Sequence, residues 1–207
     1  MLSFRSAAPR AVIVALAGSS CLGCGSGRTQ VDRVAPEQVI DVSGNWNDTD
    51  SRLVAEEMVR DATSMPWSRR YMEANGGRRP AVILGRLANK SAEHINTRTF
   101  VQDIVASFLR TETARVVAST DQREQLRDER WDQQDFASAE TRARLKNELG
   151  ANFMLLGEIN TIFDREDGRE VKYYQVDMNL TDLETNELVW VGQKKIKKFV
   201  QRSRSRR

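Results

Sequence analysis

The sequence has few of the side chains that usually carry out catalysis or hold a transition metal. Its 207 residues include one histidine, His94, and two cysteines, Cys21 and Cys24, three positions apart. A Ser-His-Asp or Cys-His catalytic arrangement would therefore depend on His94 alone, and no cluster of histidine and cysteine residues offers a transition-metal site. Two cysteines this close together also provide no useful disulfide framework.

Glycine-rich phosphate-binding loops are missing as well. Gly76 and Gly77 are followed by Arg-Arg-Pro, and Gly85 has no second glycine at a useful spacing. A nucleotide-binding loop needs several glycines directly before a helix. We therefore expect no cofactor and no metal.

Paired carboxylates, which a glycosidase requires, occur only as close neighbours in the sequence. Asp48 lies near Asp50, and Glu56 lies beside Glu57. Neighbours on one helix surface do not face each other across a substrate, and helix capping together with a solvated face explains these residues better. We expect a protein that is not an enzyme, with a glycosidase as the weakest of the alternatives.

Long hydrophobic runs are absent too, and the apolar stretch at residues 11–17 is too short to span a membrane. Arg5 and Arg10 precede it without any acidic residue nearby, and small residues follow it up to Cys24. This order of basic, apolar and small residues is typical of a secretory signal. The sequence predicts a lipoprotein signal peptide at residues 1–23 and lipidation of Cys24.

Cys21 is the second choice for the lipid. A lipoprotein peptidase prefers a small residue directly before the modified cysteine and a hydrophobic one about three positions before it. Gly23, Leu22 and Cys21 ahead of Cys24 match this preference in part, and better than the two serines and the glycine ahead of Cys21. An ordinary secretory signal with incidental cysteines is the remaining alternative.

Charge is distributed unevenly along the chain. The net charge is +3, yet eight of the 32 basic residues lie in the last fourteen positions. Residues 24–193 contain 22 basic and 29 acidic residues, so an acidic body precedes a basic tail at residues 200–207. In an exported protein we expect such a tail to meet anionic lipid or an acidic surface and no nucleic acid. A solvated terminus without a specific role is the alternative.

Helical periodicity dominates the first half of the domain. Residues 24–43 lack a sustained apolar period and are predicted to be a flexible tether. A first amphipathic helix is predicted at residues 50–65, capped by Asp48 or Asp50 and ended by Pro66. Residues 67–77 are predicted to be a loop.

The next segments alternate between strand and helix signals. Residues 81–85 and 116–118 are predicted as strands, and Thr97 can cap a second helix between them. Ser119 and Gln122 form a capping box for a third helix. A fourth helix is predicted from Ser138 to Gly150. The apolar face of the second helix is the best periodic signal in the chain and consists of Phe100, Val101, Ile104, Val105, Phe108 and Leu109.

The last third alternates with a period of two residues, which is typical of strands. Residues 153–163, 174–180 and 188–199 read as three consecutive strands, with a turn at Asp167 and Gly168 between the first two. The fold class predicted is α+β, with a single layer of helices packed on a mainly antiparallel sheet that ends in a three-stranded meander.

Six residues are candidates for partner binding. Trp46 is either packed under the first helix or an exposed anchor, and we favour packing. The loop that contains Asn89, Glu93 and His94 is either a contact surface or a self-capped loop. A further pair is either satellite core or a docking patch: Trp131 and Phe136.

Four segments, taken in order, resemble the LpoB family of outer-membrane lipoproteins, which activate bifunctional class A penicillin-binding proteins. These segments are SGNWNDTDSRLVAEEM at 43–58, NKSAEHINTRTF at 89–100, ELGANFMLLGEI at 148–159 and LTDLETNELVW at 180–190. The resemblance covers about residues 43–199 and implies a non-catalytic regulator with a fold like the N-terminal domain of TolB. It also implies docking on an accessory domain of the synthase.

Two features depart from that family. The tether is short, because only about twenty residues separate Cys24 from Trp46, which span at most about 70 Å when extended. The Arg-Ser tail has no role in the resemblance. The alternative function is a CsgG-like or TolB-like component of envelope assembly or secretion.

Overall fold

The structure, a computed structural model, describes residues 30–136 and 150–201. The chain divides into two compact units, residues 1–35 and 36–207. In the first unit, residues 30–35 are described and form no helix or strand. All the described helices and strands belong to the second unit.

The first helix, α1 (Asp48–Ser64), confirms the predicted amphipathic helix, but its cap differs from the prediction. The capping residue is Asn47, whose side chain accepts a hydrogen bond from the backbone N–H of Asp50 at 3.0 Å. Asp50 in turn accepts from the Asn47 backbone at 3.0 Å, which completes a capping box. Asp50 therefore acts from the third helical position instead of the cap.

The predicted loop at residues 67–77 is wrong, because α2 (Trp67–Ala74) is a helix. Pro66 does end α1, but a proline is also well tolerated at a helix start. Trp67 and Tyr71 lie four positions apart, so both rings meet Phe153, at 5.1 and 5.6 Å between centroids. Tertiary packing of this pair therefore supports a short helix that the sequence pattern did not indicate.

The five strands form one mixed sheet in the order β2-β1-β3-β4-β5. The strand bounds are β1 (Ala81–Asn89), β2 (Arg115–Val117), β3 (Phe153–Glu166), β4 (Arg169–Asp182) and β5 (Leu188–Gln201). β1 pairs in parallel with β2 and β3, whereas the long β3-β4 and β4-β5 pairs are antiparallel. The predicted meander is therefore confirmed, and the parallel strands lie on one side of it.

Two more helices complete the described fold. The helix α3 (Thr97–Thr111) is capped by the Asn96 side chain, not by Thr97. The helix α4 (Thr120–Phe136) begins at the predicted capping box, where the Ser119 N–H donates to Gln122 Oε1 at 3.0 Å. The fourth helix predicted from Ser138 lies outside the described residues.

One face of the sheet carries the core, under a layer that contains α1 and α3. We call this the covered face, and the opposite side of β3, β4 and β5 the open face. Trp190 on β5 ties the layers together, since its indole N–H donates to Asp61 of α1 at 2.8 Å. The largest fully buried side chains include Tyr174, Phe100, Phe108, Ile104, Ile159 and Leu180.

Candidate functional site

The segment before α1, residues 41–47, lies across one end of β4 and β5, and we call it the strap. Lys198 of β5 binds the strap through its ammonium group. The Lys198 Nζ donates to Asp41 Oδ1 at 2.8 Å, to Asp50 Oδ2 at 2.6 Å and to the Asn45 carbonyl at 3.1 Å. The strap is thus joined to the sheet and to the start of α1 through one side chain.

The contacts between Lys198 and its carboxylate partners shift the pKa of Asp41 and that of Lys198 itself. The hydrogen bond from Lys198 lowers the pKa of the Asp41 carboxyl. Burial works to lower the pKa of Lys198, but its hydrogen bonds to Asp41 and Asp50 outweigh burial, so that pKa is raised. Both shifts favour the charged forms that hold the strap.

A second group of side chains, the Glu93 cluster, consists of Trp46, Glu93, Lys172 and Tyr174. Glu93 Oε1 accepts from Lys172 Nζ at 2.9 Å, and the Tyr174 hydroxyl lies 2.9 Å from both carboxylate oxygens. Glu93 Oε2 also accepts from the Trp46 backbone N–H at 3.1 Å. Burial, and next the bond to Glu93, raise the pKa of the Tyr174 hydroxyl.

Trp46 takes the packed position of the two that the sequence allowed. Its ring makes edge contacts with Phe100 and Tyr174, at centroid distances of 5.8 and 5.6 Å. Its indole N–H donates to the Ser51 hydroxyl at 2.8 Å, which satisfies the one polar atom of the ring. Trp46 therefore fixes the strap over the core.

The loop between β1 and α3 is held largely by its own hydrogen bonds. The Asn89 amide donates to the Glu93 carbonyl at 2.8 Å, and its oxygen accepts from the Ser91 backbone N–H at 2.9 Å. His94 and Asn89 are exposed, whereas the Glu93 side chain turns inward. The loop thus presents His94 on a hydrogen-bonded base.

The last two predicted contact residues lie on a different element. Trp131 is on α4 and is 67% exposed, which is far more than a satellite core residue would be. Phe136 is the last residue of α4, and its side chain is outside the described part of the structure. The structure therefore brings together Trp46, Asn89 and Glu93, with His94 next to them in the loop, while Trp131 is exposed on a different element.

Sequence reasoning missed Lys172 and Lys198, although a signal was present. Lys172 lies two positions from Tyr174 and Lys198 two positions from Ile196, so each lysine shares a side with an apolar position because side chains alternate along a strand. Two lysines at inward positions predict buried carboxylate partners, since a buried charge must be paired. The partners themselves, Asp50 and Glu93, are far away in the sequence.

The described residues contain no helix long and apolar enough to cross a membrane. Over the same residues, no group of three or more histidine, cysteine or acidic side chains is arranged to hold a metal ion. A family model described as peptidoglycan-synthase activator LpoB matches residues 50–196. The chain belongs to the LpoB family.

Solved structures from this family and from other lipoproteins are similar at low identity. The LpoB C-terminal domain from Escherichia coli is 14% identical over 71% of this chain and 98% of that one, with a TM-score of 0.41. Lipoprotein GNA1162 from Neisseria meningitidis is 16% identical over 61% and 88%, with a TM-score of 0.40. No curated protein sequence matches the chain. Membership of the LpoB family rests on the family model.

The matched residues place most of the Glu93 cluster inside the LpoB segment of the chain. Glu93, Lys172 and Tyr174 lie within residues 50–196, while Trp46 precedes them. Glu93 accepts from three donors, so both of its oxygens are occupied by the protein. A carboxylate used in this way holds the strap, the loop and β4 together.

Proposed function

We propose that this protein is a non-catalytic, outer-membrane lipoprotein that binds and activates a bifunctional class A penicillin-binding protein and so stimulates peptidoglycan synthesis. The observation that carries the proposal is the match to the peptidoglycan-synthase activator family over residues 50–196. That match extends from α1 to β5 and therefore includes both layers of the domain.

Activation by such a protein is a matter of differential binding. An activator raises the rate of the synthase only if it binds the active conformation more tightly than the inactive one. The activator needs a rigid surface for this, because a surface that orders only on binding loses affinity to the cost of ordering. The hydrogen-bonded loop at Asn89 and the strap above it supply rigid backbone at one place.

We propose that His94 and Asn89 contact the synthase directly, while Trp46 and Glu93 hold the loop and strap in position. His94 is exposed, and Asn89 is exposed too although its amide group also holds the loop, whereas the Glu93 side chain is turned inward to Lys172 and Tyr174. Trp131 is proposed as a separate contact because a large exposed aromatic side chain is a frequent binding anchor. Phe136 stays a prediction from the sequence.

The lipid on Cys24, with Cys21 as second choice, would hold the domain close to its membrane. Seventeen positions separate Cys24 from Asp41, the first residue of the strap. Such a segment spans at most about 60 Å when fully extended. Because Asp41 is already fixed to Lys198, the reach of the tether is shorter than the distance to Trp46 suggests. The synthase must therefore project toward the outer membrane.

Glycan polymerisation by a purified class A synthase is the direct test. The rate is measured while the unlipidated chain from residue 25 onward is added over a concentration series. We expect the rate to rise and saturate. His94→Ala should weaken this effect about tenfold without loss of folding, as expected for a contact worth about 1.4 kcal/mol. Glu184→Ala, in the exposed turn between β4 and β5, is the matched control.

An unchanged polymerisation rate over the whole series would contradict the activator proposal. Pull-down from solubilised envelopes separates it from the alternative. Recovery of a class A synthase supports activation, whereas a homo-oligomer without synthase would favour the CsgG-like or TolB-like assembly function.

A further inference from the structure

Four lysines on the edge strand β5 fall into two groups with different surroundings. Lys194 and Lys198 point to the covered face, where Lys194 pairs with Glu57 and Lys198 pairs with Asp41 and Asp50. Lys195 and Lys197 alternate with them, so they point to the open face. Both are exposed, and neither forms an ion pair with any residue that the structure describes.

The acidic side chains of the open face lie further into the sheet. Asp177 on β4 accepts hydrogen bonds from Gln175 and Gln193, and Glu158 and Asp164 are on β3. Because adjacent strands are about 4.8 Å apart, β3 is about 10 Å from β5. Positive charge is therefore concentrated at the β5 edge, whereas Asp177 lies one strand away and Glu158 and Asp164 lie two strands away.

An aromatic side chain adjoins the two lysines. Phe199 is two positions beyond Lys197 on the same side of β5 and is 63% exposed. After Gln201, where the strand ends, the sequence continues with four arginines: Arg202, Arg204, Arg206 and Arg207. Basic residues next to an exposed aromatic ring are the composition of an interfacial membrane-binding surface.

The basic end of β5 is also the end at which the strap enters the domain. Lys198 binds Asp41, and Gly44, with a φ of 72°, passes so close to Val200 that a side chain there would collide with it. Asp41, which follows the tether in the sequence, and Gln201, which precedes the tail, therefore lie at the same end of the sheet. A lipid on Cys24 would attach the domain to the membrane through this end.

We infer that the edge formed by Lys195, Lys197 and Phe199 is a second membrane contact, which binds anionic phospholipid headgroups. The lysines attract the phosphate groups, and Phe199 inserts among the headgroups beside them. Together with the lipid, this contact would orient the domain with β5 toward the membrane and the β1-β2 side away from it. The orientation at the membrane rests on the proposed lipid anchor, but the polypeptide alone is expected to bind the headgroups.

Sedimentation with vesicles tests this inference. The unlipidated chain from residue 25 onward, which contains every described helix and strand, is mixed with vesicles of phosphatidylcholine or of equal parts phosphatidylcholine and phosphatidylglycerol. We expect binding only to the second kind, and we expect it to weaken as salt is added. Each lysine near an anionic surface contributes about a fivefold change in partition, so Lys195→Gln with Lys197→Gln should lower it about 25-fold.

Matched variants separate this edge from net charge and from the tail. Arg60→Gln with Arg110→Gln removes two exposed positive charges from α1 and α3, and it should change partition less than twofold if position matters more than net charge. Replacement of the four tail arginines by glutamine should weaken binding but leave the effect of the two lysine variants measurable. Phe199→Ala should also reduce binding.

Three results would overturn the inference. They are equal binding to both kinds of vesicle, equal loss from the lysine and arginine pairs, and binding that depends on the tail alone. Poly-glutamate is offered in parallel, and if it binds through Lys195 and Lys197 as tightly as the vesicles do, the occupant is an acidic polypeptide and the inference fails. None of these measurements includes a synthase, so failure here leaves the activator proposal intact.

Discussion

The covered and open faces of the sheet are built from the same three strands, β3, β4 and β5, yet their apolar side chains differ in burial. On the covered face, Leu155, Val176 and Trp190 are buried under the helices. On the open face, Ile162, Val191 and Phe199 are each more than half exposed. Alternation along the strands sends neighbouring residues to these two environments.

The charged residues show the same difference more clearly. On the covered face Lys172, Lys194 and Lys198 all have carboxylate partners, whereas Lys195 and Lys197 on the open face have none among the described residues. Burial makes an unpaired charge costly, but water solvates an exposed one. The covered face is therefore constrained by stability, while the open face is free to be used for binding.

Two phenylalanines should show the largest contrast in stability. Phe100 is fully buried and Phe199 is 63% exposed. Phe100→Ala should cost about 3–5 kcal/mol of unfolding free energy, because it leaves a cavity in the core. Phe199→Ala should change it by no more than about 0.5 kcal/mol. Urea unfolding followed by circular dichroism measures both, and similar losses would show that the open face is covered in the folded protein.

Two glutamates give the next contrast. Glu93→Gln should leave Lys172, whose side chain is only 7% exposed, without its carboxylate. The expected cost is about 3 kcal/mol, since a nearly buried charge would lose its partner. Glu158→Gln on the open face makes the same chemical change and should cost almost nothing. Urea midpoints that fall equally for both variants would contradict the proposed role of the Glu93 cluster.

The smallest contrast concerns the two adjacent tyrosines at high pH. The folded pKa of Tyr174 is raised above its ordinary value of 10.0, by burial and then by Glu93. Above pH 10.0 the unfolded chain loses this proton while the folded chain keeps it, so stability should fall as pH rises. Lys198, whose pKa is also raised, adds to the loss above pH 10.5.

Unfolding measured between pH 9 and 11.5 would reveal that slope. Tyr174→Phe should make it shallower, because one of the responsible groups is gone. Tyr173→Phe, the same change on the open face, is the matched control. If only Tyr173→Phe flattened the curve, the assignment of the two faces would be reversed.

Local sequence patterns predicted most of the helices and strands. The face of α3 that contains Phe100, Ile104 and Phe108 is strongly periodic, and these three residues are indeed buried, whereas Leu109 of the same predicted face is 56% exposed. In β4 the alternating residues Tyr174, Val176, Met178 and Leu180 are likewise buried. These predictions were correct because the spacing of apolar residues along a short segment shows both the helix or strand period and the side that is buried.

The failures have equally specific causes. The helix α2 depends on Phe153, which lies far along the chain from Trp67 and Tyr71, so no local pattern could show the contact. Thr97 and Asp48 were reasonable caps by residue type, but Asn96 and Asn47 just before them do the capping. Element ends are decided by small differences among adjacent polar residues.

For the candidate site, the sequence indicated individual residues but not the contacts between them. Trp46, Asn89 and Glu93 were selected from the sequence, and the structure shows how a strap and a loop meet through them. Lys172 was not selected, because its partner Glu93 lies 79 positions away in the sequence. Contacts over such distances depend on the register of the sheet and on which helices cover it.

The sequence by itself determined the alternating and helical segments, the basic strand β5 and the segments that match the LpoB family, since each depends on residues close together in the chain. Only the tertiary structure decided that Lys194 and Lys198 have carboxylate partners while Lys195 and Lys197 have none among the described residues. Their four side chains are chemically identical and nearly adjacent. What distinguishes them is the face on which each lies and the carboxylates that the fold brings there, from as far as 157 positions away.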